Sequence, residues 1–155
     1  MPRHFQPNHP RGDTLNTLTK GPLEDFKIHV KFKLSALWAC VMSCYIYGDF
    51  LGLYRPGDLK GILDGNGLLG PTSQGSLLAV AILVAVPAVM IFLSLALLPA
   101  LSRWLNLLVG ATLTVIVLMT IPGSWAFYIF LSAIEIVLQL LVVWYAWHWP
   151  REMAA

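Results

Sequence analysis

Apolar residues run along this chain in long blocks instead of alternating stripes. Four blocks stand out, at positions 34–54, 77–98, 104–121 and 125–147. The first is interrupted by Ser35, Ser43, Gly48, Asp49 and Gly52, and the second by Pro87 and Ser94. The third is the most polar, with Asn106, Gly110, Thr112, Thr114 and Thr120; the fourth holds Ser132, Glu135 and Gln139. A bilayer core is crossed by about 20 apolar residues in a helix. Lipid offers the backbone no hydrogen-bond partner, so each block is predicted to be helical; a β-barrel would show short alternating segments. The connections at 99–103 and 122–124 are short enough to force antiparallel neighbours. The expected fold is an all-α antiparallel four-helix transmembrane bundle. One connection is longer, at 55–76, with six glycines and two prolines. Within it Leu59, Ile62 and Leu63 have the spacing of a short helix at the membrane surface.

Ahead of the first block the pattern has two readings. Residues 26–33 alternate as a strand would, yet Leu23, Phe26, Val30, Leu34 and Leu37 also share a helical face. Gly21-Pro22 followed by Glu24 and Asp25 has the form of a helix start, so a basic amphipathic helix over 22–33, leading into the first span, is preferred. Residues 1–21 are polar and aperiodic and read as a disordered tail. The Arg11-Gly12-Asp13 tripeptide in that tail is read as chance. The first apolar block is too long for a signal peptide and has no small-residue cleavage site after it.

Composition and charge add to the pattern. Hydrophobic residues make up 57% of the 155 and charged ones 12%, about half the charged share of a soluble domain. Between positions 61 and 150 the only charged residues are Asp64, Arg103 and Glu135, too few to cover a water-facing surface. Lysine and arginine counting orients the spans. Arg3, Arg11, Lys20, Lys27, Lys31, Lys33, Arg103 and Arg151 fall on one side, against Arg55 and Lys60 on the other. Both termini are therefore expected in the cytoplasm. Trp38, Trp104, Trp144, Trp147 and Trp149 are expected to form the inner aromatic belt, and Tyr54, Trp125 and Tyr128 the outer one.

Candidate chemistry is sparse. Glu135 lies near the middle of its span and Asp49 near the outer end of its own, with no Lys or Arg inside a span to neutralise them. Carboxyls at such depth face protein or water and mark candidate functional sites. Ser132, Glu135 and Gln139 share one face of the fourth span, and Tyr45 and Asp49 one face of the first. With Asn106 they form a predicted pocket between spans one, three and four, for a proton, a cation or the polar head of a hydrophobic small molecule. The competing reading is a protonated Glu135 that hydrogen-bonds Asn106 or a serine and holds the helices together. Ala36, Cys40, Cys44, Gly48 and Gly52 recur every four residues and form a small-residue packing face, for a helix of this chain, a second copy or another membrane protein. That face supports an alternative role as an accessory subunit. The two cysteines lie one helical turn apart, poorly placed for a disulfide. His29 and His148 fall at a membrane boundary instead of within facing helices, so no haem or metal is expected. Asp64-Gly65-Asn66-Gly67 lacks the later ligands of a calcium loop and reads as a tight turn. No cofactor, nucleic-acid partner or catalytic motif is indicated, membrane lipids are the expected surroundings, and an enzyme acting on a lipid-soluble substrate is the weakest reading. Pro87 should kink the second span.

Several segments together resemble a known group. Leu23-Glu24-Asp25-Phe26-Lys27, Lys33-Leu34-Ser35-Ala36-Leu37-Trp38, Tyr45-Ile46-Tyr47-Gly48-Asp49, Arg103-Trp104-Leu105-Asn106 and Trp144-Tyr145-Ala146-Trp147 are similar to a family of small uncharacterised four-span bacterial membrane proteins, a domain of unknown function. The resemblance covers roughly residues 23–150. It implies a bacterial inner-membrane protein with the four-span plan, and transfers no activity.

Overall fold

A computed structural model of the protein describes residues 26–67 and 70–150. The tail reading at 1–21 and the proposed helix start at 22–25 lie outside the described residues. Four long helices dominate: α1 (Val30–Gly52), α3 (Gln74–Ala96), α4 (Pro99–Thr120) and α5 (Ala126–Trp147). The short α2 (Asp58–Leu63) and a two-residue ladder, β1 (Asn66–Gly67) against β2 (Gly70–Pro71), lie between α1 and α3. Each long helix has 22 or 23 residues, which at 1.5 Å per residue is about 33–35 Å, enough for a ~30 Å hydrocarbon core. All four are apolar enough to cross a membrane, which marks the chain as a membrane protein.

Packing follows the order α3–α1–α5–α4, with α3 and α4 touching only lightly although they are consecutive. One end carries the described termini of the chain and the α3–α4 connection; the other, called here the loop end, carries α2, the β ladder and the α4–α5 turn. The inward residues recur at three and four: Leu34, Trp38, Val41 and Gly48 on α1; Ser102, Asn106, Gly110, Leu113 and Val117 on α4; Ser132, Glu135, Gln139, Val142 and Ala146 on α5. Polar groups concentrate inside, while Phe92, Leu108, Met119 and Phe130 point outward and are largely exposed. This inversion of a water-soluble protein's arrangement is expected where the solvent is lipid.

The helix ends explain several shifts from the sequence reading. The predicted connection at 99–103 is instead the first turn of α4, because Pro99 sits at N1, where a missing N–H costs nothing. Only Leu97 and Leu98 join α3 to α4. Of the segment 26–33, residues 26–29 have no regular structure and the helix starts at Val30, after His29 Nδ1 accepts from the Lys31 amide at 3.3 Å. Lys31 reaches across to α3, where its Nζ donates to the carbonyls of Leu95 and Leu97 at 3.2 and 2.6 Å. Arg103 does the same for α5, its Nε donating to Ala146 O at 3.2 Å and its Nη2 to Trp147 O at 3.5 Å. Each cation closes orphan carbonyls at the negative end of a neighbouring helix.

Gly110 sets the closest approach between α4 and α5. A Cβ there would lie 3.1 Å from Val143 Cγ2 and 3.4 Å from Val142 Cγ1. The small-residue face of α1 is only partly covered within the chain. Gly48 is buried, with Leu131 Cδ1 3.9 Å from where its Cβ would be, but Ala36 and Cys40 are exposed and Gly52 and Cys44 are only partly covered. The α1 face that packs carries Leu34, Trp38 and Val41, whose bulk fills the space between α3 and α5.

Candidate functional site

Two polar groups occupy the interior, and they differ in one respect. Toward the end carrying the termini, Trp38 Nε1 donates to Asn106 Oδ1 at 2.6 Å, and Ser94 Oγ donates to the same oxygen at 3.1 Å. Asn106 Nδ2 donates to Ser102 O at 2.8 Å, and Ser102 Oγ donates to Ser94 O at 3.2 Å. This cluster links α1, α3 and α4, and each of its side chains has a partner. Buried polar groups that are fully bonded rigidify an interior.

The structure corrects two sequence expectations here. Trp38 is not part of an aromatic belt: it is 0% exposed, at the centre of the helices. Asn106 belongs to this cluster and neither lines the pocket of Glu135 nor bonds to it. Ser94 and Ser102 were not singled out by the sequence, although Ser102, Asn106 and Gly110 recur every four residues along one α4 face.

The second group occupies the loop-end half. Tyr45, Gly48 and Asp49 of α1, Thr120 of α4, and Tyr128, Ser132 and Glu135 of α5 line a cavity of about 110 Å³. One water needs roughly 10–15 Å³ of such space, so the cavity has room for several. Its remaining wall is mostly apolar: Val80, Leu83 and Val84 of α3, Ile116 and Val117 of α4, and Leu131 of α5. All four long helices contribute, whereas the sequence pointed to three. The α3 contribution follows from its packing, since its buried residues begin only at Pro87 and continue with Met90 and Ser94. Ahead of that proline α3 is open toward the cavity. Pro87 has no N–H, so the Leu83 carbonyl one turn back on the cavity wall lacks its helical donor, while α3 itself continues unbroken.

Glu135 is the deep polar group of this cavity. It is 6% exposed, and its Oε1 has no hydrogen-bond partner. Gln139, one turn deeper on α5, is fully buried with neither amide atom bonded. Ser132 completes that face, so the three residues predicted to share a stripe do so, two of them on the cavity wall. Tyr45 lies across from Glu135 and Gln139 on α1. Asp49 is exposed and stands at the junction with a wider vestibule of about 500 Å³, which shares Gly48, Asp49, Val80 and Tyr128 with the inner cavity. Arg55, Asp58, Ile62 and Phe127 line that vestibule, and Arg55 Nε pairs with Asp58 Oδ2 at 3.3 Å.

Tyr128, in the first turn of α5 at the loop end, is half-buried and also lines the cavity. Its hydroxyl donates to Thr120 Oγ1 at 3.1 Å, and Thr120 Oγ1 donates to Val117 O at 2.7 Å, which fixes the ring at the cavity wall. The spacing Tyr128, Ser132, Glu135, Gln139 carried this information, since steps of four, three and four keep one helical face.

Among the described residues no group of three or more His, Cys, Asp or Glu is placed to hold a metal ion. Chemically, the arrangement offers a buried carboxyl with one oxygen free to accept a hydrogen bond, a second carboxyl at its mouth, two phenol rings and an aliphatic wall. No curated protein and no solved structure matches the chain. A family model does match, over residues 23–155, and on that basis the chain belongs to the family of unknown function DUF6326.

Proposed function

We propose that this protein is a multi-pass inner-membrane protein, an antiparallel four-helix bundle with both termini in the cytoplasm, that binds a proton or a cation-bearing species at Glu135 in a transport-like module. The eight-to-two distribution of Lys and Arg supports the orientation, with the vestibule facing the cell exterior. One observation carries the functional reading. The side chains bonded to Asn106 are all paired, and of the buried groups left unbonded, Glu135 Oε1 and the Gln139 amide, Glu135 is the one that lines open space. A carboxyl kept only to hold helices together would have a partner, since an unsatisfied polar group in lipid is costly. The cavity lining contains no Lys or Arg, so the attraction it exerts is for positive charge.

Infrared difference spectroscopy on the purified full chain in nanodiscs tests this reading. Acid, potassium and benzyltrimethylammonium are added in turn, and the carboxyl C=O stretch assigned by its loss in Glu135→Gln is followed. A response of that band to at least one of the three is the expected result. A Glu135 band unmoved by all three overturns the reading.

A further inference from the structure

We propose that the species bound in this cavity is an organic ammonium, a nitrogen cation carrying apolar substituents; this deepens, and rests on, the reading of Glu135 as a cation site. Donor number is the first argument. A dehydrated metal ion such as calcium takes six or more oxygens in place of its water shell. Here Glu135 stands as one deep carboxyl, Thr120 and Tyr128 already bond to each other, and no three-acid group exists among the described residues. An alkylated ammonium carries its charge on a larger, weakly hydrated surface and needs one counter-charge, not a full shell.

The walls are the second argument. Val80, Leu83, Val84, Ile116 and Val117 line the same cavity as the carboxyl with aliphatic side chains. Such a lining contributes nothing to a bare ion, but it accepts the methyl or methylene groups of an ammonium. The rings of Tyr45 and Tyr128 line the same space, and aromatic faces attract ammonium cations. Shape is the third. The inner chamber has the size of a small head group, and it joins a larger vestibule through Asp49, so a substituent on nitrogen has somewhere to go. For a cation entering from the loop end, past the Arg55–Asp58 pair of the vestibule, Asp49 at the neck and Glu135 at the end supply two acids in succession.

Cys44 lines the inner chamber and reports on what reaches it. In a Cys40→Ala background, Cys44 is treated with two methanethiosulfonates of similar size, one bearing trimethylammonium and one bearing sulfonate. Each reaction forms a mixed disulfide with Cys44 and releases methanesulfinate. Rates are read by intact mass and normalised to the same reagent's rate with free cysteine. In phosphatidylglycerol nanodiscs the cationic reagent should be faster by about 10-fold or more, the scale on which a charged cleft concentrates counter-ions. Glu135→Gln should bring the ratio toward one. Asp49→Asn, at the exposed mouth, should reduce it without placing any demand on the interior. Benzyltrimethylammonium should protect Cys44, while potassium at equal ionic strength should not.

Adding phosphatidylcholine separates the sources of the ammonium. Protection by this lipid alone identifies a choline headgroup as the occupant, and protection only by added benzyltrimethylammonium identifies a free amine; both support the proposal. Equal normalised rates for the two reagents, or equal protection by potassium and benzyltrimethylammonium, overturn it. If the Glu135 band responds to acid or potassium but not to benzyltrimethylammonium, the ammonium assignment fails and the cation site stands. If it responds to none, both fail.

Discussion

The indole Nε1 of Trp38 donates to Asn106 Oδ1 across 2.6 Å, joining α1 to α4, two helices that are not neighbours in the packing order. This diagonal bond ties together a cluster in which each side chain is paired, although Gln139, at similar depth on α5, has neither amide atom bonded. The half beyond it, toward the vestibule, holds Glu135 with an unused carboxyl oxygen. The contrast between the Asn106 cluster and Glu135 yields the following expectations.

Trp38→Phe removes the donor and leaves the ring's bulk largely in place. Asn106 Oδ1 keeps its Ser94 donor, so the loss is the net worth of one hydrogen bond, about 0.5–1.5 kcal/mol, and unfolding in mixed detergent should shift by that amount. Asn106→Leu should also destabilise. The double variant should lose less than the sum of the two, because both substitutions remove the same bond. Strict additivity in this cycle would show that the contact carries no coupling.

Glu135→Leu should behave in the opposite sense. Replacing an unpartnered buried carboxyl by an apolar group of similar length removes a desolvation cost, so the variant should be as stable as the parent or more stable, by up to about 1–3 kcal/mol. A residue retained for binding follows this stability–function trade-off. Marked destabilisation would instead favour the reading in which Glu135 holds the helices together.

Gly110→Ala places a methyl group 3.1 Å from Val143 Cγ2. Overpacking of this kind costs about 1–3 kcal/mol. Val143→Ala in the same chain should recover most of the loss by opening the space the methyl group needs. Absence of rescue in thermal unfolding would mean that α4 and α5 do not meet at this point.

Arg103→Gln should loosen the last turn of α5, and Lys31→Gln the last turn of α3. Charge at a helix C-terminus is worth about 0.3–1 kcal/mol, and more where it is partly buried. Hydrogen exchange read by mass spectrometry should speed up at the last amides of the helix whose cap was removed and not at those of the other. Equal acceleration at both ends in either variant would rule out separate caps.

Much of the architecture was legible in the chain before folding. The four apolar blocks correspond to the four long helices, because an uninterrupted run of about 20 apolar residues leaves the backbone few alternatives in lipid. The face shared by Ser132, Glu135 and Gln139 was legible too, since a helix fixes which residues align. Trp38 was misplaced because a tryptophan close to a span's end fits an interfacial belt equally well; only the position of Asn106 on α4 draws it inward. Tyr128 stands at the loop end as read, and only its bond to Thr120 across the α4–α5 contact was beyond the sequence. Lys31 and Arg103 counted toward topology, and nothing local indicated that each would close another helix's carbonyls.

Sequence alone thus determined that the chain is a membrane protein of four long helices with Glu135 at unusual depth, because hydrophobic run length and helical periodicity are local properties. Tertiary structure decided which polar residues pair and which do not. Asn106 went to Trp38 and the serines, and Glu135 was left facing a cavity with Asp49 at its mouth. That outcome rests on which helices are neighbours and on where α3 leaves its partners ahead of Pro87. Hydrogen bonds are short-ranged and directional, so a side chain's fate depends on groups brought near it from distant parts of the chain.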